Sequence, residues 1–177
     1  MRGTFANVKL ENALAQGRQG GYTYDFERDE VTSIYDAAMD YKAQHEDEVV
    51  IAGKMYGSGS SRDWAGKGPA LLGVKAVLAE SFERIHRSNL IGMGIVPLRF
   101  EDGVSAGMLG LDGTERITVE PIDFSKGLPE PKMVAVSAVK PSGEKIDFRA
   151  LVRVDTPSEG AYISEGGILP YVLGQLV

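Results

Sequence analysis

Cysteine is missing from this chain of 177 residues. Its absence excludes disulfides, thiolate nucleophiles and any cysteine-ligated zinc or iron–sulfur centre held by the chain alone. Histidine is almost missing too: His45 and His86 are the whole supply, too few for a histidine-rich metal site. Carboxylates are plentiful enough to bind magnesium or calcium, but no calcium-loop spacing occurs. A reaction that needs a transition metal must therefore take it from another chain or domain. No apolar run is long enough to cross a bilayer, and the N-terminus carries no secretory apolar segment, so a soluble, cytoplasmic protein is expected. An excess of basic residues is lacking as well. With 19 Lys and Arg against 25 Asp and Glu, the net charge of −6 disfavours non-specific nucleic-acid binding.

What is present is enough apolar residue, 43% of the chain, for one domain with a substantial core. Thr4 to Leu10 alternates like a strand and starts abruptly, which suggests that Met1 lies partway into a larger architecture. Gly17 to Gly21 reads as a loop. Ser33 is an N-cap candidate for a helix to about Gln44, carried by Ile34, Ala37, Ala38 and Tyr41. Glu46-Asp47-Glu48 reads as an acidic surface turn. Val49–Ala52, Val74–Ala79 and Ile95–Phe100 read as buried strands, with helices from Asp63 to Leu72 and from about Phe82 to Leu90 between them. That β-α-β-α-β order predicts parallel pairing with right-handed crossovers. Further strands are expected at Ile117–Pro121, Met133–Val139 and Ile146–Val154, and a last helix from about Ile163 to Gln175, weakened by Gly166, Gly167 and Pro170. The expected fold is a single α/β domain with a parallel unit and an antiparallel extension.

Chemistry is concentrated at Gly57-Ser58-Gly59-Ser60-Ser61-Arg62, between the first buried strand and the helix from Asp63. Gly57 and Gly59 can turn backbone N–H groups toward one point, where hydroxyls and a guanidinium also arrive. The dinucleotide fingerprint fails because Arg62 stands where its last glycine belongs, and neither a Walker loop nor a hydrolase elbow fits. A plain βα turn whose serines cap the next helix remains the simpler structural reading. Arg62 argues against it: a cation in the first turn of a helix opposes the dipole, and a bound anion offsets that cost.

The stretch Ala52 to Ala65, continuing through Lys67-Gly68-Pro69-Ala70-Leu71-Leu72-Gly73 and Glu80 to Gly94, resembles the active-site loop region of the aconitase family. Arg2-Gly3-Thr4-Phe5-Ala6-Asn7, Ile34-Tyr35-Asp36-Ala37-Ala38 and Gly166-Gly167-Ile168-Leu169 fit the same family, so the resemblance spans nearly the whole chain. It is closest to the branch with bacterial aconitase A and the cytosolic aconitase/iron regulatory protein. The resemblance implies the C-terminal swivelling β/β/α domain, also found as the small subunit of isopropylmalate isomerase. It further implies that residues 1–177 are one domain of a larger enzyme, with a [4Fe–4S] cluster on partner domains and none here. By the family pattern, Ser60 is the catalytic base, acting as an alkoxide. Ser61 and Arg62 bind a substrate carboxylate, over a backbone cradle at Gly57 and Gly59. Asp63, His86 and Asn89 are expected behind that first layer, and Trp64 is expected to be a packing residue. A further substrate-binding arginine of the family lies upstream of Arg2-Gly3-Thr4, and Arg2 does not take its role.

The implied reaction interconverts citrate and isocitrate through cis-aconitate, so a proton must leave carbon and hydroxide must be helped to depart. A serine alkoxide needs strong support. Each pKa unit corresponds to about 1.4 kcal/mol, and a helix N-terminus supplies only ~0.3–2 kcal/mol. Convergent N–H donors, worth roughly 3–4 kcal/mol each, are the stronger contribution. Arg62 suits a tricarboxylate because its planar fork holds carboxylate oxygens bidentately. The isolated chain is expected to be inactive. Alternatives are 2-methylcitrate dehydratase, an isopropylmalate isomerase-type small subunit needing a cluster-bearing large subunit, and, outside enzymes, an RNA-binding fragment of an iron regulatory protein.

Overall fold

Three short apolar runs rich in β-branched residues set the frame, and each is bounded by a glycine or a charged residue that ends it. The computed structural model describes residue 5, residues 7–59 and residues 63–176. After a short 3₁₀ turn at Ala13–Ala15, a hairpin of β1 (Tyr22–Asp25) and β2 (Glu30–Ser33) leads into α1 (Ile34–Ala43). Ser33 caps α1 by accepting the Asp36 N–H, as its sequence position predicts. Then follow β3 (Glu48–Ala52), α2 (Asp63–Leu72), β4 (Val74–Ala79), α3 (Arg84–Gly92), β5 (Val96–Phe100) and α4 (Ala106–Leu109). The last elements are β6 (Arg116–Val119), β7 (Met133–Val139), β8 (Lys145–Val152), α5 (Pro157–Ser164) and α6 (Ile168–Gly174).

The main sheet runs β3-β4-β5-β8-β7-β6. β3, β4 and β5 are parallel, and β8, β7 and β6 continue antiparallel, so the mixed α/β architecture matches the expectation. Period-2 alternation divides the core between the two faces. Val77 and Ala79 lie in one cluster with Leu90 of α3, joined by Val50, Ala52 and Ala70. Leu78, Leu98 and Phe100 lie in the other, with Val134, Val136, Ala150 and Val152 of the antiparallel half. Among the described residues no helix is long and apolar enough to cross a membrane.

Several expectations change. Residues 7–10 form a turn rather than a strand, while residues 1–4 and 6 lie outside the described residues. The hairpin of β1 and β2 was not legible, because its strands are short and mostly polar. The expected last helix is two: Gly166 and Gly167 take φ of +79° and +131°, a break only glycine tolerates cheaply. Its N-terminal half starts earlier, at Pro157, with Thr156 accepting the Glu159 N–H as cap. Glu48 belongs to β3 rather than to a surface turn. Its Oε1 is buried without a partner among the described residues, and burial pushes the carboxyl up to about 7.

α3 is tied to α5 by one charged group. The Arg87 guanidinium donates to both Glu159 oxygens at 2.7 and 3.1 Å and to the Arg153 carbonyl at 2.7 Å. Burial raises the Glu159 carboxyl, but its bonds from Arg87 and from the Asp155 N–H outweigh this and hold it below its ordinary value. Arg87→Ala is expected to lower stability by about 2–4 kcal/mol, since it leaves a mostly buried carboxylate uncompensated. Because the folded-state value of Glu159 is depressed, its contribution is present above its ordinary range and lost as pH falls below that range. Urea unfolding of wild type and Arg87→Ala should therefore converge toward low pH. Glu48 has the opposite sign. Its raised value makes stability fall as pH climbs from its ordinary range through about 7. Glu48→Gln is expected to gain roughly 1–2 kcal/mol at pH 8 and little at pH 5, by the same measurement.

Candidate functional site

Because β3, β4 and β5 are parallel, their C-terminal ends share one edge, where sheets of this kind bind ligands. The connections after Ala52, Ala79 and Phe100 all open there. The first of them is the glycine-serine loop. Met55, Gly57 and Gly59 take φ of +54°, +95° and +74°, so the chain turns left-handed at alternate residues. The neighbouring connection holds it in place. The Met55 N–H donates to Ser81 Oγ at 2.8 Å and the Tyr56 N–H to the Ser81 carbonyl at 2.9 Å. The Glu83 N–H returns to the Tyr56 carbonyl at 2.9 Å, extending the β3–β4 pairing beyond both strand ends.

His86 sits directly behind Gly57. It is only 2% exposed, and a Cβ on Gly57 would fall 2.2–2.3 Å from its Cβ, Cγ and Cδ2 atoms. The Glu83 carboxylate caps α3 by accepting the His86 N–H at 2.9 Å. The Tyr56 ring meets the His86 and Phe82 rings edge-on, with centroids 5.2 and 6.2 Å apart. Burial pushes the Tyr56 hydroxyl up to about 12 and lowers His86, against a smaller upward pull from Glu83. Both side chains are therefore neutral at pH 7. His86 Nδ1 and Asn89 Nδ2 are buried without partners among the described residues.

Backbone donors on the loop divide into two sets. Those of Met55, Tyr56 and Ser58 are used within it or on Ser81, whereas the Gly57 and Gly59 N–H groups find no acceptor among the described residues. Ser60, Ser61 and Arg62 lie outside the described residues. Asp63 opens α2 and suits the positive end of its dipole. Asn89 lies at the crossing of α2 and α3, where a Cβ on Gly66 would come within 3.0 Å of its carbonyl oxygen. Trp64 corrects an expectation. It is half exposed on the rim, with the Lys67 ammonium 5.8 Å from its ring centroid, and Met55 and Ile85 are exposed as well.

A cavity of about 440 Å³ lies beside the loop, lined among others by Lys54, Glu80, Ser81, Glu101, Asp102 and Ser105. Three carboxylates against one ammonium make that lining unfavourable to an anion. Sequence reasoning missed Ser81, Tyr56 and Glu83. The only signal was the position of Glu80-Ser81-Phe82-Glu83 just after the second parallel strand, and glutamate is not a strong N-cap cue.

Gly57→Ala is expected to cost about 2–4 kcal/mol, from a left-handed φ and a clash with a ring that cannot retreat. Adding His86→Gly, which removes the Cβ as well as the ring, should restore at least ~1 kcal/mol of that cost in a double-mutant cycle of thermal unfolding.

Comparison with known proteins bears on these residues. The family model of the aconitase C-terminal domain matches residues 1–103. Proteins named aconitate hydratase A are similar along the whole chain. That of Corynebacterium jeikeium is 55% identical over 179 residues, covering 100% of this chain and 19% of that protein. That of Legionella pneumophila is 52% identical over 176 residues, 99% of this chain and again 19% of the relative. The chain thus spans about a fifth of the length of these curated relatives. A solved structure of 3-isopropylmalate dehydratase from Methanocaldococcus jannaschii aligns over 82% of this chain and 80% of that one, with 20% identity and a TM-score of 0.44, too loose a likeness to argue from.

Proposed function

This chain belongs to the aconitase family, as its C-terminal domain, and from that membership we propose that it is the part of an aconitate hydratase that brings the proton-abstracting serine to the substrate. The reaction is the interconversion of citrate and isocitrate by loss and return of water. Ser60 is assigned the base, and Ser61 and Arg62 the binding of a substrate carboxylate. Asp63 lies at the head of α2, where it can orient Arg62. The observation that carries this reading is the pair of N–H donors at Gly57 and Gly59, without an acceptor among the described residues, on a loop pinned by Ser81 and His86. Such donors stabilise an oxyanion most when they do not have to reorganise, and the pinning supplies that condition. Names of relatives matched along the entire chain favour aconitate hydratase over 2-methylcitrate dehydratase and over a free small subunit. The net charge of −6 weighs against the RNA-binding alternative.

The residues here do not fit an iron–sulfur cluster. There is no cysteine, and among the described residues no group of three or more His, Asp or Glu could hold a metal ion. The cluster associated with the family is therefore assigned to other domains, on the same polypeptide or a partner subunit, in a cytoplasmic enzyme. This chain alone is inactive in that reading.

In the complete enzyme, Ser60→Ala is expected to lower kcat by at least about a hundredfold with little change in KM, whereas Arg62→Lys mainly raises KM. Steady-state hydration of cis-aconitate measures both. Near-normal turnover of Ser60→Ala rules out the base assignment, and turnover by the 177-residue chain alone rules out its dependence on partner domains.

A further inference from the structure

The final helix is built with its apolar side outward. α6 and the residues that follow it present Ile168, Leu169, Val172, Leu173 and Leu176 at 38, 67, 46, 63 and 77% exposure. Their spacing places the first four on one helix face, and Leu176 follows just beyond the helix end. Residues 166–177 contain no charged side chain. The opposite side is fixed: the Tyr171 ring packs edge-on against Tyr162 of α5 at 5.1 Å.

The orientation is not a frayed end. A Cβ on Gly94 would meet the Gly166 carbonyl oxygen at 2.5 Å, and one on Gly167 would meet that of Gly92 at 2.9 Å. Backbone lies against backbone at the C-terminal end of α3, and this contact determines which way α6 faces. Gly92 lies six residues, ~9 Å along the α3 axis, from His86, and the stripe shares no residue with the site already described.

We propose that this stripe is a permanent docking surface for another domain of the same aconitase polypeptide. The proposal rests on the reading of the chain as one domain of a longer enzyme. Three observations select that occupant. Relatives similar along the whole chain are about five times its length, so most of such a protein lies outside the described fold. The stripe offers roughly 500 Å², short of the ~800 Å² per partner of a stable intermolecular interface, but sufficient within one polypeptide where effective concentration is high. A lipid surface fits poorly, because no Lys or Arg follows Arg153 and membrane-surface helices carry them on their polar face.

Hydroxyl-radical footprinting of the complete enzyme, read residue by residue by mass spectrometry, tests this. Leu169, Leu173 and Leu176 should be oxidised at least about five-fold more slowly than freely exposed leucines. Oxidation at the free rate overturns the proposal. The double variant Leu169→Ser/Leu173→Ser changes only exposed positions of the domain. It should raise hydrogen exchange in residues 157–176 while the sedimenting mass stays constant. A halved mass means a second copy is the occupant, and unchanged exchange means nothing docks; either result overturns the proposal. Ser60→Ala should not alter the protection, so failure of the catalytic reading and failure of this surface are separable.

Discussion

The closeness of the Gly57 backbone to the His86 ring is the constraint on which the candidate site depends. It fixes residue 57 as glycine, fixes the left-handed turn there, and makes the first turns of α3 a template for the loop after β3. The Glu83 cap and the Ser81 acceptors complete the template from the same connection. The loop is thus shaped from behind by α3 and the segment before it. An anion cradle needs that arrangement, since donors that must first be ordered lose much of their worth.

Much of the fold was legible because its strongest signals are local. Val74–Ala79 and Asp63–Leu72 coincide with the observed β4 and α2, and Ser33 caps α1 as read. Errors fall where tertiary contacts override local pattern. Ile163 to Gln175 reads as one helix weakened by Gly166, Gly167 and Pro170, but the packing of Gly166 and Gly167 on Gly92 and Gly94 divides it in two. Glu48 looked like part of a solvated acidic run because burial is not visible in a run of three charges. At the site, Gly57, Gly59 and His86 were legible as residues. That the imidazole fills the space of the missing Cβ was not, because the two lie 29 positions apart and only pairing of the strands brings them together. Ser60, Ser61 and Arg62 rest on family pattern alone.

The two ends of α3 carry different kinds of surface. Near His86 the rim mixes exposed Met55, Trp64 and Ile85 with charged neighbours, and the adjoining cavity is acidic. Near Gly92 the exposed surface is apolar and uncharged. Mixed polarity is stable whether wet or covered, whereas an uncharged apolar stripe gains most from lasting contact. The acidic lining of the cavity disfavours an anion on that side of the loop.

The order of strands has a consequence for how the chain reaches this state. β3, β4 and β5 assemble from consecutive segments, and β7 and β8 from a tight hairpin, but β5 and β8 meet only after nearly fifty residues of intervening chain. Two locally formed halves must therefore join along a single seam, and closing so large a loop is the slow step in topologies of this kind. Until they join, β5 shows an open apolar edge able to pair with any extended chain nearby. During synthesis that edge emerges from the ribosome well before its partner strand, which makes the interval between β5 and β8 the period of greatest aggregation risk.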